Sequence, residues 1–323
     1  MASFFIGIHA RLSYTFNFLY GKKRDTMPFI YFEIPGTEFG THVFPLIKYR
    51  LIRKALRDQN IPDSEFITPS PASDDDLRLV HSPAYLKDLA ECNLTARTMY
   101  SELPLTPEVV QLFRISAGGT LLTVDQALQH KWAVNIGGGF HHAFEAKAEG
   151  FCYINDLAVA ARKFVDRHPR KRVLIVDLDL HQGNGTAKIF ERDRSIFTFS
   201  MHQRDLYPPK EKSHLDIALE KDVDDSTYLR LLDDAFEQIE QQFSPDLILY
   251  QAGADPYHDD QLGSLGLTIE GLRMRDLRVI AFAQRHKAPL AVTLGGGYAH
   301  DTGDTVQIHV NTCLAVYNSF QSR

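Results

Sequence analysis

Val173-Leu174-Ile175-Val176-Asp177-Leu178-Asp179-Leu180-His181 is the stretch on which the fold turns. It begins as an unbroken run of β-branched and leucine side chains, the pattern of a strand buried on both faces of a parallel sheet. Side chains alternate across a strand, so Asp177, Asp179 and His181 share a face. Two carboxylates and an imidazole in so apolar a run are costly unless paired or metal-bound. Helix capping or salt bridging is the plainer use for them. Gln182-Gly183-Asn184-Gly185 follows at once, a turn out of the strand.

Outward from this strand the same texture repeats. Apolar runs at Phe29–Phe32, Ala133–Ile136, Ile196–Phe199, Leu247–Gln251 and Leu290–Leu294 read as further strands. Helical periodicity separates them at Phe44–Leu56, Pro107–Leu128, Asp156–Val165, Ser226–Phe243 and Ile269–Arg285, with Asp225 and Thr268 as caps of the last two. Strand, helix, strand in this rhythm predicts an α/β fold: a three-layer, open, mostly parallel sheet with helices on both faces. Thr68–Asp76, rich in Pro, Ser and Asp, reads as a surface loop.

Ligands of such sheets sit beyond the carboxyl ends of the strands. There the sequence places Gly137-Gly138-Gly139-Phe140-His141-His142, the Asp177–Gly185 stretch, Ser200-Met201-His202, Ala252-Gly253-Ala254-Asp255 and Gly295-Gly296-Gly297-Tyr298. Five strand ends thus deliver imidazoles, carboxylates, a phenol and glycines to one edge. Asp179 and His181 offer an oxygen and a nitrogen, and Asp255 a second oxygen unless it only caps the turn into Pro256. An Asp-His-Asp set suits a catalytic divalent ion, zinc by default, while iron and manganese accept the same ligand types. The glycines match neither phosphate-loop pattern.

Composition narrows the class. The chain has 323 residues, 44% hydrophobic and 24% charged, which is ordinary for a globular protein and unlike a disordered or fibrous one. No window holds the roughly 20 consecutive apolar residues that cross a bilayer. With 35 basic against 41 acidic residues the net charge is -6, so no global field favours nucleic acid. Three widely spaced cysteines, Cys92, Cys152 and Cys313, form no disulfide scaffold or C-x-x-C module, which fits a reducing, cytoplasmic compartment. Residues 1–28 stand apart: Met1–Arg24 lacks any acid and is rich in aromatics. That segment reads as a non-globular extension or transit-like sequence, with Met27 as the working start and residues 29–323 as one catalytic domain.

Leu178-Asp179-Leu180-His181-Gln182-Gly183-Asn184-Gly185-Thr186, Gly139-Phe140-His141-His142-Ala143, Gly150-Phe151-Cys152-Tyr153-Ile154-Asn155-Asp156, Gly253-Ala254-Asp255 and Gly295-Gly296-Gly297-Tyr298 together resemble the zinc-dependent histone deacetylase family, in the family's motif order. Gln182, His42-Val43-Phe44-Pro45, Lys48-Tyr49 and a short Tyr207–Ala218 loop look most like its class IV branch and bacterial relatives. The resemblance implies the arginase/deacetylase fold and one zinc ion on Asp179, His181 and Asp255. It implies His142 as general base, His141 oriented by Asp177, Asn184 behind His142 where part of the family has an aspartate, and Tyr298 as oxyanion donor. Phe151, with Gly150, would wall an acyl-lysine tunnel opposite a second aromatic in Gln203–Pro209. A structural monovalent cation, K+ or Na+, would engage Asp177, Asp179, His181, Ser200 and Met201. The expected substrate is acylated lysine in a protein or peptide, with acylated small amines such as acetylpolyamines, an arginase-like binuclear hydrolase and an idle acyl-chain binding module as rivals.

Overall fold

Eight strands form one sheet in the order β2-β1-β3-β8-β7-β4-β5-β6, every pairing parallel. They are β1 (Phe29–Ile30), β2 (Phe66–Ile67), β3 (Trp132–Asn135), β4 (Val173–Asp177), β5 (Ile196–Gln203), β6 (Leu215–Leu219), β7 (Leu247–Gln251) and β8 (Leu290–Thr293). The computed structural model describes residues 28–33, 39 and 42–321; of the extension read at residues 1–28, residues 1–27 lie outside the described residues.

Helices cover both faces because the central strands alternate apolar side chains to both. Leu174 and Val176 of β4 join Ile248 and Val292 in a core closed by α1 (Ile47–Asp58), α7 (Asp225–Gln242), α8 (Ile269–His286) and α9 (Thr302–Gln321). Val173 and Ile175 join Leu247, Leu249 and Ala291 in a second core under α2 (Asp74–Arg78), α3 (Pro83–Ala90), α4 (Pro107–His130), α5 (Asp156–Arg167) and α6 (Asn184–Phe190). Each fully buried Leu, Ile or Phe contributes about 1.5–3 kcal/mol, so a change such as Phe199→Ala would cost about 3–5 kcal/mol.

The local signals set most boundaries. Thr106 caps α4 with Pro107 at its first position, Asn155 caps α5, and Thr268 caps α8 as expected. The cap of α7 is Asp224, not Asp225: Asp224 accepts from Thr227 N, while Asp225 turns away to accept from Thr268 N and its hydroxyl. Ser73 forms a capping box with Asp76, which ends the expected Thr68–Asp76 loop at α2. The Tyr207–Ala218 segment is not all loop, since it finishes in the edge strand β6. Strand β4 stops at Asp177, so Asp179 and His181 leave the sheet rather than continue its alternation.

Candidate active site

At the end of β4 the chain is tied down by its own acids. Asp177 Oδ1 accepts from Asp179 N at 3.2 Å, and Asp179 Oδ1 from His181 N at 3.0 Å. Leu180 N reaches across to Asp255 Oδ1 at 3.0 Å, joining the β4 end to the β7 end. His181 Nδ1 lies 3.3 Å from Asp179 Oδ1 and 3.2 Å from Asp255 Oδ2. One donor atom from each of these three buried residues lies within 4.8 Å of the others. Asp179 Oδ2 is fixed by Gln251 Nε2 at 3.2 Å and Gly296 N at 3.1 Å.

This cluster is electrostatically a cation site. Burial and the neighbouring Asp179 push Asp255 up to about 7. Burial alone would lower His181, but hydrogen bonds to Asp179 and Asp255 raise it to about 10. The two buried carboxylates thus favour a positive charge beside them. Two carboxylate oxygens and one imidazole nitrogen are donors that zinc accepts, so the residues fit the ion.

The tandem histidines face the same space with unequal chemistry. His141 Nδ1 sits 2.7 Å from Asp177 Oδ2, His142 Nδ1 sits 2.9 Å from Asn184 Oδ1, and the two Nε2 atoms are 3.1 Å apart. Burial would lower His141, but Asp177 and Asp179 raise it to about 9. Burial, with the charges of His141 and His181, holds His142 well below the usual range. The amide of Asn184 is oriented by its neighbours: Gly185 N donates to Oδ1, and Nδ2 donates to Glu149 Oε1 at 2.8 Å. His142 Nδ1 therefore carries the hydrogen, which leaves its Nε2 unprotonated and facing the His141 Nε2 across 3.1 Å as an acceptor. The surroundings thus favour the charged form of His141 and the neutral form of His142.

Tyr298 follows the glycine loop after β8. Its N–H donates to Asp260 Oδ2 at 2.7 Å and its carbonyl accepts from Gln261 Nε2 at 2.8 Å. The loop beneath is held by Lys48 Nζ on Gly295 O at 2.7 Å, and by Ala254 N and the His309 ring on Gly296 O. Gly297 has φ +138°, in the region that favours glycine. Lys48 is fully buried, which lowers it to about 8.

Phe151 and Tyr298 line a cavity of about 320 Å³ with Phe44, His142, Tyr207 and Leu262. Phe151 has φ +62°, strained for a bulky residue, and is held there by Phe151 N on Ser101 O and Gly150 N on Tyr100 O. A Cβ on Gly150 would meet His142 and the Tyr207 hydroxyl. Tyr207, its ring 5.7 Å from His142, is the aromatic that the sequence left unplaced within Gln203–Pro209. Ser200 and Met201 lie buried inside β5 with the Ser200 hydroxyl against His202, and Asp177 is the register partner of Ser200. Cys152 is buried with Sγ on Gly150 O, and burial pushes its thiol well up, as expected of a packing residue. Lys48, Glu149, Gln251 and Asp260 were not anticipated as parts of the site, and Tyr207 was anticipated only as an unnamed aromatic of its segment. Lys48, Tyr207 and Gln251 stood in stretches that the sequence had singled out; Glu149 and Asp260 did not.

The family described as Histone deacetylase domain matches residues 42–313. An uncharacterised Picosynechococcus protein is 40% identical over 271 residues, covering 83% of this chain and 90% of that one. Histone deacetylase 2 of Arabidopsis thaliana is 33% identical over 269 residues, 80% of this chain and 70% of that protein. Human Histone deacetylase 1 is 27% identical over 277 residues, 78% of this chain but 54% of its own length. The crystal structure of an HDAC homolog complexed with SAHA superposes with a TM-score of 0.77 at 22% identity, covering 90% of this chain and 84% of that one. An HDAC homolog from Aquifex aeolicus gives 0.76 at 23%, with the same coverage. Both share the arginase/deacetylase fold of the present sheet and helices.

Proposed function

This chain belongs to the histone deacetylase family and is a hydrolase acting on amides, and from that premise we propose that it removes acyl groups from lysine side chains, with zinc held by Asp179, His181 and Asp255. The observation that carries the reading is the buried Asp-His-Asp cluster at the same cavity as the His141–His142 pair and Tyr298. When bound, the ion would polarise the amide carbonyl and acidify a water. The chain's own residues supply the remaining steps. His142 Nε2, neutral and unprotonated, takes the proton of the attacking water and later returns it to the leaving amine. His141, charged through Asp177, donates from Nε2 alongside it. The phenol of Tyr298, held protonated by burial and by the Asp255 and Asp179 carboxylates, donates to the carbonyl oxygen as negative charge grows there.

The same proposal takes residues 29–323 as one catalytic domain and residues 1–28 as an extension. It assigns the tunnel wall to Phe151 and Gly150, and a K+ or Na+ ion to the backbone around Asp177, Asp179, His181, Ser200 and Met201. The strand pairing of Asp177 with Ser200 supports that last placement. Likeness to class IV, with a cytoplasmic location, belongs to the proposal too; among the described residues no helix is long and apolar enough to cross a membrane. A binuclear, arginase-like alternative has little support, because one group of three metal-competent residues is present among the described residues. The exposed carboxylate Glu102 on the cavity rim favours a second reading, acylated polyamines, whose remaining amines are cations.

A side-by-side panel of acetyl-, octanoyl- and myristoyl-lysine peptides and acetylated polyamines tests both readings. Turnover of lysine peptides is expected. The apolar lining from Phe44, Phe140, Leu206 and Leu262 supports kcat/KM for a longer acyl chain equal to or above that for acetyl. Turnover of polyamines alone would replace the first reading by the second. No turnover of any substrate by the zinc-loaded protein would leave an acyl-binding module.

A further inference from the structure

Strands β4 and β7 pair in register up to Asp177 beside Gln251, and Leu178 N adds a last rung on Gln251 O at 3.1 Å. Past that rung the ladder ends, yet these two departing chains must hold Asp179 and Asp255 close together. Arg275 of α8 bridges them there. Its Nη1 donates to Gly253 O at 2.6 Å and to Leu178 O at 3.2 Å. The Leu178 carbonyl belongs to the peptide that enters Asp179, and Gly253 stands two residues before Asp255.

The rest of the guanidinium is fixed as firmly. Its Nε and Nη2 donate to Asp276 Oδ1 at 3.0 and 2.9 Å. Asp276 in turn accepts from the Tyr250 hydroxyl of β7 at 2.5 Å and the Thr312 hydroxyl of α9 at 2.6 Å. Arg275 is 0% exposed and Asp276 is 1% exposed. A buried ion pair usually adds little net stability over an apolar replacement of like volume. Folding alone is thus a weak reason for this pair. A planar fork with several fixed donors is, however, well suited to setting the separation of two backbone carbonyls.

We propose that Arg275, neutralised by Asp276, is a positioning residue that sets the spacing of Asp179 and Asp255 for the divalent metal. The inference rests on the metal reading above and concerns residues that touch neither metal nor substrate.

The test uses the full chain stripped of metal and without substrate. The double variant Arg275→Met/Asp276→Asn removes the pair without stranding a charge; Arg275→Lys keeps the charge but lacks the fork. Zinc affinity is read by competition with a chromophoric chelator, ligand geometry by the absorption bands of the Co2+-loaded protein, and folding by urea unfolding of the metal-free protein. Both variants are expected to bind zinc at least tenfold more weakly, the usual effect of losing a residue that orients metal ligands, and to show altered Co2+ bands. Metal-free unfolding of the double variant should stay near that of the unsubstituted chain. Folded variants with zinc affinity within twofold and unchanged Co2+ bands would overturn the inference, as would a loss of stability with affinity intact. Should the double variant not fold, Arg275→Lys decides by the same two metal readouts. Unsubstituted protein that binds no zinc would overturn the metal reading and this inference with it, whereas tight binding by all three proteins would overturn only the role of Arg275.

Discussion

Replacing Tyr298 by phenylalanine separates binding from chemistry at this site. The ring is held by things the substitution leaves in place: the backbone bonds to Asp260 and Gln261, and the rings of Phe151 and Phe44 at 6.0 and 6.2 Å. The hydroxyl makes no hydrogen bond to another described residue, although the side chain is only 7% exposed. Tyr298 lines the cavity, so removing its hydroxyl breaks no bond to another described residue and is close to neutral for folding. Thermal unfolding should therefore stay within a few degrees of the original. In the proposed reaction the same hydroxyl would be the donor aimed at the developing oxyanion, and loss of such a donor costs about 2.7–4 kcal/mol, or roughly 100- to 1000-fold in kcat. KM should change by less than about threefold, since the interaction forms chiefly in the transition state. Steady-state kinetics on an acetyl-lysine peptide, run beside metal analysis and a melting curve, measures all three quantities. A variant with full metal content and kcat within tenfold of the original would refute the oxyanion role of Tyr298.

Replacing Asp179, His181 or Asp255 by alanine should reduce bound zinc from about one equivalent to a trace and abolish turnover; tight zinc in all three variants would break the ligand assignment. The raised Asp255 carboxyl gives a signed pH effect in the metal-free protein: its stabilising protonated form is present at low pH and is lost as pH rises through about 7. Asp255→Asn should flatten that decline in urea unfolding, and an unchanged slope would place the titration elsewhere. Asn184→Asp puts a carboxylate on His142 Nδ1, favouring the charged imidazole and moving the acid limb of kcat/KM up by about one pH unit; a limb that stays put would mean that His142 is not the base. A chain beginning at Met27 should express in soluble form and keep its activity, and loss of either would show that residues 1–26 pack on the domain.

The sequence by itself determined the frame and the chemistry-bearing residues, because both are written locally. A strand buried on two faces must be an apolar run, and β4, β7 and β8 carry that signature within a residue or so at each end. Helices with an apolar stripe and a cap, such as α4 and α8, are equally legible. The site motifs could be read because a parallel sheet sends all its strand ends to one edge, so residues far apart in the chain are brought together by topology alone. Weakly patterned elements were missed. The edge strand β6 is half exposed, and α9 mixes threonine, valine, histidine and asparagine, which are poor helix formers, along a partly buried helix.

Tertiary structure alone decided what holds the site in shape. Lys48 meets Gly295 across 247 positions, Arg275 meets Leu178 across 97, and Gln251 meets Asp179 across 72. Each is a buried polar group satisfied by a distant partner, and no local period or motif encodes such a pairing. The charges follow the same rule. Which histidine would be the base in the proposed reaction depends on Asp177 behind one ring, Asn184 and Glu149 behind the other, and the burial of both, quantities that exist only once the chain has closed around them.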